Sequence, residues 1–228
     1  EMGNYEDAHQ VYRRGMDLCE SFMDQRICNF IWMDDLFLNN IMGKYEESSD
    51  SLVDVFCEKY MSLDNIQDEI YLGANFSSLV ADINPQFALE TINSTIRLQQ
   101  HIGELPYTMI ALKGRISENL GMLDSALFYY DKSIEITGIK NNERGHIASN
   151  ISKLELLVKQ GDCVRAMNLA KEILEIQNFY QYDAEVILDF FTESEICSLS
   201  FSDINYIKTL NQKNLYKKNK MYITNKIK

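Results

Sequence analysis

The sequence predicts an all-α protein, a right-handed solenoid of stacked antiparallel helix pairs. Three observations carry that expectation. The 228 residues include only 2 prolines and 10 glycines, too little turn punctuation for a β-sandwich or barrel of this length. Small residues recur at Ala8, Ser48, Ala88, Ala126 and Ala166, with separations of 40, 40, 38 and 40 residues. A fixed period in that range marks a helical repeat array. Segments such as IWMDDLFLNNIM at 31–42 and SNISKLELLVKQ at 149–160 place apolar residues at the spacing of a half-buried helix.

The copies can be taken in order. The first, GNYEDAHQVY at 3–12, opens on Gly3 and reaches Ala8 five residues later. Its own first helix would precede Glu1, so the chain is expected to be a piece of something longer, with upstream chain or a partner covering the inner face. The second copy has its first helix at 31–42, a turn at Gly43 and Ser48 on the helix that follows. The third, NPQFALETI at 84–92, lacks the glycine but keeps Ala88 and puts Pro85 at a helix start, where a missing N–H is tolerated. The fourth and fifth, GMLDSALFYY and GDCVRAMNLA, carry Gly121 with Ala126 and Gly161 with Ala166. In each, glycine supplies the positive φ that ends the first helix. The small residue lets the two helix backbones approach. A sixth, decayed copy begins near Phe201 and has Tyr206 where a small residue belongs. The expected organisation is a repeat array over 1–200, then a degenerate capping helix and basic tail over 201–228.

Charge is unevenly spread. The net charge is -12, and all 34 acidic residues lie at or before Asp203. Seven lysines and no acid follow, so a body of charge -19 precedes a tail of +7. An acidic body is a poor match for nucleic acid. The tail run KNLYKKNKMYITNKIK at 213–228 is too apolar to be inert. It is expected to extend as a helix, packing on the array or on a second copy to give a homodimer through the C-terminal end. The five cysteines show no CxxC and no zinc spacing, and an odd number in an acidic helical chain reads as reduced thiols in a cytosol. With no run of 18 apolar residues and no signal peptide, no membrane span is expected and the cytoplasm is the expected location.

The copies resemble the tetratricopeptide repeat, a family of stacked helix–turn–helix units. The second carries Trp32, Leu36, Gly43, Tyr45, Ser48 and Leu52; the first carries Gly3, Tyr5, Ala8, Tyr12 and Gly15; the fourth supplies Gly114, Gly121, Ala126, Tyr130 and Ser133. The resemblance is good over about 1–178 and poor beyond. The period of about 40 rather than 34 makes each helix nearly a turn longer than the family standard. That length resembles arrays of bacterial regulators, including peptide-pheromone receptors and large ATP-driven signalling proteins.

No catalytic chemistry is expected. His9, His101 and His146 form no paired-ligand motif, and no phosphate loop or nucleophile elbow occurs. Scattered serines such as Ser48 and Ser133 read as small packing residues. Asp34 and Asp35 are adjacent on a helix and diverge by about 100°, so solvated surface is the expected role. No cofactor or metal is called for. The resemblance implies instead a binding groove lined by the first helix of each unit. Counted back from the turns, its positions are Phe30, Met33, Asp34, Phe37 and Asn40 in the second copy and Ile70, Ala74, Ser77 and Ala81 in the third. The fourth copy gives Thr108, Leu112, Arg115, Glu118 and Asn119, and the fifth Ser152, Glu155 and Lys159. The lysine–asparagine clamp that holds a C-terminal carboxylate in chaperone-binding relatives is replaced here by Met33, Asp34 and Phe37. The groove is expected to take an extended or helical peptide or a partner protein. Arg115 has a rival expected role, a surface pair with Glu118 three residues on. The expected function is a non-catalytic scaffold, the sensor or assembly segment of a larger cytosolic regulator. A pheromone-binding domain of a transcription regulator and the input domain of a kinase or cyclase are the alternatives.

Overall fold

The computed structural model describes residues 3–22, 25–41, 49–61 and 63–175, with 186, 187, 189–191, 194, 197, 205 and 209. Among these residues there are nine helices and no strand. They belong to two compact units, Glu1–Met122 and Leu123–Lys228. The glycine and small residue of the second copy, the Tyr206 position and the tail from 210 lie outside the described residues.

The first unit contains α1 (Gly3–Phe22), α2 (Gln25–Ile41), α3 (Ser49–Met61), α4 (Ile66–Val80), α5 (Pro85–Ile102) and α6 (Tyr107–Asn119). Helix α1 packs on α2, α4 packs on both α2 and α3, and α5 packs on both α4 and α6. Two asparagines start helices by accepting from otherwise unpaired backbone N–H groups. Asn65 Oδ1 accepts from Gln67 N at 2.8 Å. Asn84 Oδ1 accepts from Phe87 N at 3.1 Å, with Pro85 as the first residue of α5 as anticipated. Four helices meet through aromatic rings. Phe76 of α4 stacks on Phe56 of α3 at 4.0 Å and on Trp32 of α2 at 6.4 Å, while Phe87 of α5 stands edge-on to Phe56 and Phe76. Such pairs contribute about 0.5–1.5 kcal/mol each beyond area burial. Ala88 is fully buried, and Ala8 of α1 is half-buried.

The second unit contains α7 (Leu123–Ile139), α8 (Glu143–Lys159) and α9 (Cys163–Glu175). Helices α7 and α8 are each 17 residues long. The ends of α6, α7 and α8 share one turn. Gly121, Asn141 and Gly161 adopt φ of 72°, 51° and 75°. The next residue's N–H reaches five residues back, Met122 to Ser117, Asn142 to Thr137 and Asp162 to Leu157, at 2.9–3.0 Å. This left-handed cap satisfies carbonyls that the helix end leaves open. Three left-handed residues spaced 20 apart account for the period: a helix of 17 and a turn of three, taken twice, make 40.

The small residues of the second unit, Ala126 and Ala166, are buried as the repeat requires. Ala126 is enclosed with Tyr130 of its own helix and Leu156 of α8. Ala166 of α9 lies among Ile147, Leu154 and Leu157 of α8. Ser133 of α7 is also fully buried, its hydroxyl 2.8 Å from that of Ser149 on α8. It serves as the packing residue that its position suggested.

The cysteines depart from expectation. Cys19 and Cys28 join α1 to α2, and Cys163 joins the start of α9 to Cys197; Cys57 alone is free. The reading of five reduced thiols is therefore corrected, and with it the ground for a cytosolic location, since disulfides persist in oxidising surroundings. Pairing was invisible in the sequence because chain reversal brings the partners together. The Cα atoms of Cys163 and Cys197 stand 5.3 Å apart across a separation of 34 residues. No described helix is long and apolar enough to cross a membrane.

Candidate functional site

Residues of α2 and α4 form an open corner on the first unit. Phe30 of α2 meets Tyr71 of α4 edge to face, with ring centroids 4.5 Å apart. Arg26, one turn before Phe30, lays its guanidinium over that ring at 5.6 Å and pairs with Asp68 of α4 at 2.9 Å. Asp68 is almost fully buried while Arg26 remains half-exposed, so the pair pins the two helices at the rim. Asp34, one turn after Phe30, is half-buried, and burial pushes its carboxyl above the usual carboxylate range. Tyr71 is pushed up as well, first by burial, then by the nearby Asp34 carboxylate, then by Tyr12 of α1. The corner is thus built from Phe30, Asp34 and Tyr71, with half-buried Phe37 one turn further along α2.

Asp34 and Asp35 divide their roles. Asp35 turns toward α1 and accepts from His9 at 2.7 Å and from Asn39 Nδ2 at 3.2 Å. His9 is only 9% exposed. The expectation that both acids are solvated surface is corrected: one bonds a buried histidine, the other sits half-desolvated among aromatic rings. The sequence offered no pointer to the His9–Asp35 pair, whose members lie 26 residues apart.

The anticipated groove residues separate into three groups. Phe30, Asp34 and Phe37 lie on the open corner. Met33 and Ser77 do not: both are fully buried, and the Ser77 hydroxyl donates to Gly73 O at 2.7 Å within its own helix. Ile70 and Ala81 are buried too. Helix α2 is packed by α1 and α4, and α4 by α2, α3 and α5, so most of each helix surface is covered. The strip of α4 that stays open carries the anticipated Ala74 together with Tyr71, Asn75 and Ser78.

The third group is engaged elsewhere. Arg115 of α6 pairs with Asp82 in the α4–α5 turn. Asn119 donates to both Ala81 O and Asp82 Oδ1 at 2.8 Å. The two side chains brace that turn. Leu112 is half-buried on the same helix. Glu155 belongs to the second unit, where it pairs with Lys159 at 2.8 Å. Asn40 lies on α2, but its side chain is outside the described residues. Among the described residues no group of three His, Cys, Asp or Glu could hold a metal ion.

The raised Asp34 carboxyl has a measurable consequence. A group whose pKa is higher in the folded chain than in the unfolded one penalises folding once it ionises. The penalty is absent at pH values below the unfolded carboxyl's range and complete above the raised folded value. Asp34→Asn is therefore expected to be slightly more stable than the parent at neutral pH, with the margin closing in acid. Urea midpoints measured at both pH values check this; a destabilised variant at neutral pH would mean that ionised Asp34 holds the fold together.

Helix hairpins with left-handed turn residues and small residues at their crossings define a class, the tetratricopeptide-like helical repeat. No family model and no curated protein matches the sequence. Among solved structures, the chain is similar to a protein of nearly identical TPR-like repeats from Podosopora anserina, named as a kinesin light chain. The TM-score is 0.55 at 11% identity, over 96% of this chain and 98% of that one. Such a likeness speaks to fold. The chain is an all-α array of stacked antiparallel helix pairs of the TPR-like solenoid type.

Proposed function

We propose that this chain is a non-catalytic scaffold that binds a peptide or a partner protein on the first helices of its repeats. The observation that carries the reading is the Phe30–Tyr71 corner with Asp34 beside it. Two large rings stand open next to a half-desolvated carboxylate, at positions where a repeat array presents side chains to a ligand. Rigid aromatics of this kind supply anchoring area at low entropic cost. Phe37, one turn further along α2, adds apolar surface, while Arg115 and Asn119 brace the α4–α5 turn. A repeat fold of this type suits the sensor or assembly segment of a larger regulatory protein. The His9–Asp35 pair does not argue for catalysis, because it is enclosed between α1 and α2 and reads as a structural hydrogen bond.

The test is a display selection of random dodecapeptides against the whole chain, followed by affinity measurements on single variants. Phe30→Ala and Tyr71→Ala are expected to weaken a selected peptide by about tenfold or more, with circular dichroism unchanged. Selected peptides that bind both variants as tightly as the parent would place the site elsewhere and overturn the assignment.

A further inference from the structure

The same corner carries a more specific inference about what it binds. Along one side of α2 the chain repeats a chemical arrangement, first with its own cation and then without one. At the first position, Phe30 and the carboxylate of Asp68 hold the guanidinium of Arg26, which lies 5.6 Å from the ring centroid and 2.9 Å from the carboxylate. Two turns beyond Arg26, the carboxylate is Asp34, half-buried one turn after Phe30, whose ring meets that of Tyr71 at 4.5 Å. Asp34 makes no hydrogen bond or ion pair to any described residue. A carboxylate partly removed from water gains more from a counter-charge than one in open solvent. Aromatic faces beside it add attraction for the same charge and none for an anion.

We propose that Asp34, Phe30 and Tyr71 form a recognition site for a cationic side chain, a lysine ammonium or an arginine guanidinium, presented by a bound peptide. The inference rests on the peptide-binding reading of this face and adds the chemistry of the ligand. The rest of the chain favours the same sign. Residues up to 204 carry a net charge of -19, a field that draws basic partners in and repels acidic ones. Arg26 does not oppose the site, because its own charge is taken up by Asp68 at 2.9 Å.

The probe is a pair of fluorescent nonapeptide pools, offered to the full chain and followed by anisotropy. Both pools carry leucine, isoleucine or phenylalanine at random in the outer positions. One has a central lysine and the other acetyl-lysine, which keeps the stem and removes the charge. The lysine pool is expected to bind about tenfold tighter than the acetylated one. Asp34→Asn should erase that difference without loss of helicity. Tyr71→Phe, which keeps the ring, should preserve it, and Tyr71→Leu should reduce it. Equal binding of the two pools to the parent chain would overturn the cation site while leaving peptide binding intact. If neither pool binds, the peptide-binding reading fails and this inference fails with it. A change in oligomeric mass of the peptide-free Asp34→Asn variant, seen by light scattering, would show the corner holding a second copy and would also overturn the assignment.

Discussion

Loss of the Cys163–Cys197 bond, by Cys163→Ser or by reduction, is expected to lower the stability of the second unit by about 3–4 kcal/mol. The estimate follows from loop closure: the bond removes from the unfolded chain the freedom of a 34-residue separation. It also holds down what lies near its end. Ile187, Phe191 and Cys197 are buried with α8 and α9 in one apolar cluster, and without the bond they stay there by packing alone. The Cys19–Cys28 bond spans a separation of only 9 residues, so its loss should cost about 1 kcal/mol less. Denaturant unfolding followed by circular dichroism measures both effects. Thiol titration of the denatured, unreduced protein checks the premise, with one reactive thiol expected from Cys57. A count of five would sink the pairing and restore the reduced state.

The second large effect is expected at Gly73. In an exposed helix, replacing glycine by alanine stabilises by about 1 kcal/mol. Here the sign should reverse. A Cβ at position 73 would overlap Thr95 Oγ1 of α5, and Thr95 is itself buried with its hydroxyl donating to Thr91 O at 2.8 Å. Neither helix can retreat without opening the aromatic stack beside it. Gly73→Ala should therefore destabilise, and Gly73→Val should cost about 2–3 kcal/mol through overpacking. Thr95→Ala removes the colliding oxygen, so adding it to Gly73→Ala should recover most of the loss. That non-additivity is the diagnostic. A higher melting temperature for Gly73→Ala alone would show that α4 and α5 cross more loosely than described.

Part of this architecture could be read directly from residue types. Gly121 with Ala126, and Gly161 with Ala166, announce a left-handed turn and a close crossing, because few residues tolerate either condition. Asn141 performs the same turn between α7 and α8 without announcing it, since asparagine has many other uses and glycine few. Ile70 and Ser77 are buried because α2, α3 and α5 all pack on α4, and no count within one repeat contains that packing or shows that it leaves Tyr71 open. Pairings at long range were beyond reach of any local pattern. His9 with Asp35, Arg115 with Asp82 and both disulfides depend on which helix lies beside which. Phe30 and Asp34 could be placed on one face of α2 because their spacing of one turn is counted within a single helix; the half-burial of Asp34 could not, because it depends on the packing around that helix.

The aromatic stack of the first unit also determines what light can report about this chain. Its single tryptophan is Trp32, which rests on Phe76 at 6.4 Å with the Lys59 ammonium 5.1 Å from its ring centroid. Burial lowers the pKa of that lysine, and the Glu58 charge partly opposes the shift. When α2, α3 and α4 separate, the indole loses its neighbouring ring and its neighbouring charge together, so its emission should change sharply. The helices of Leu123–Lys228 contain no indole. Tryptophan emission therefore follows the first unit alone, while far-ultraviolet dichroism follows helices in both. Recorded on one sample, the two signals turn an ordinary melt into separate unfolding curves for parts of a single unlabelled chain.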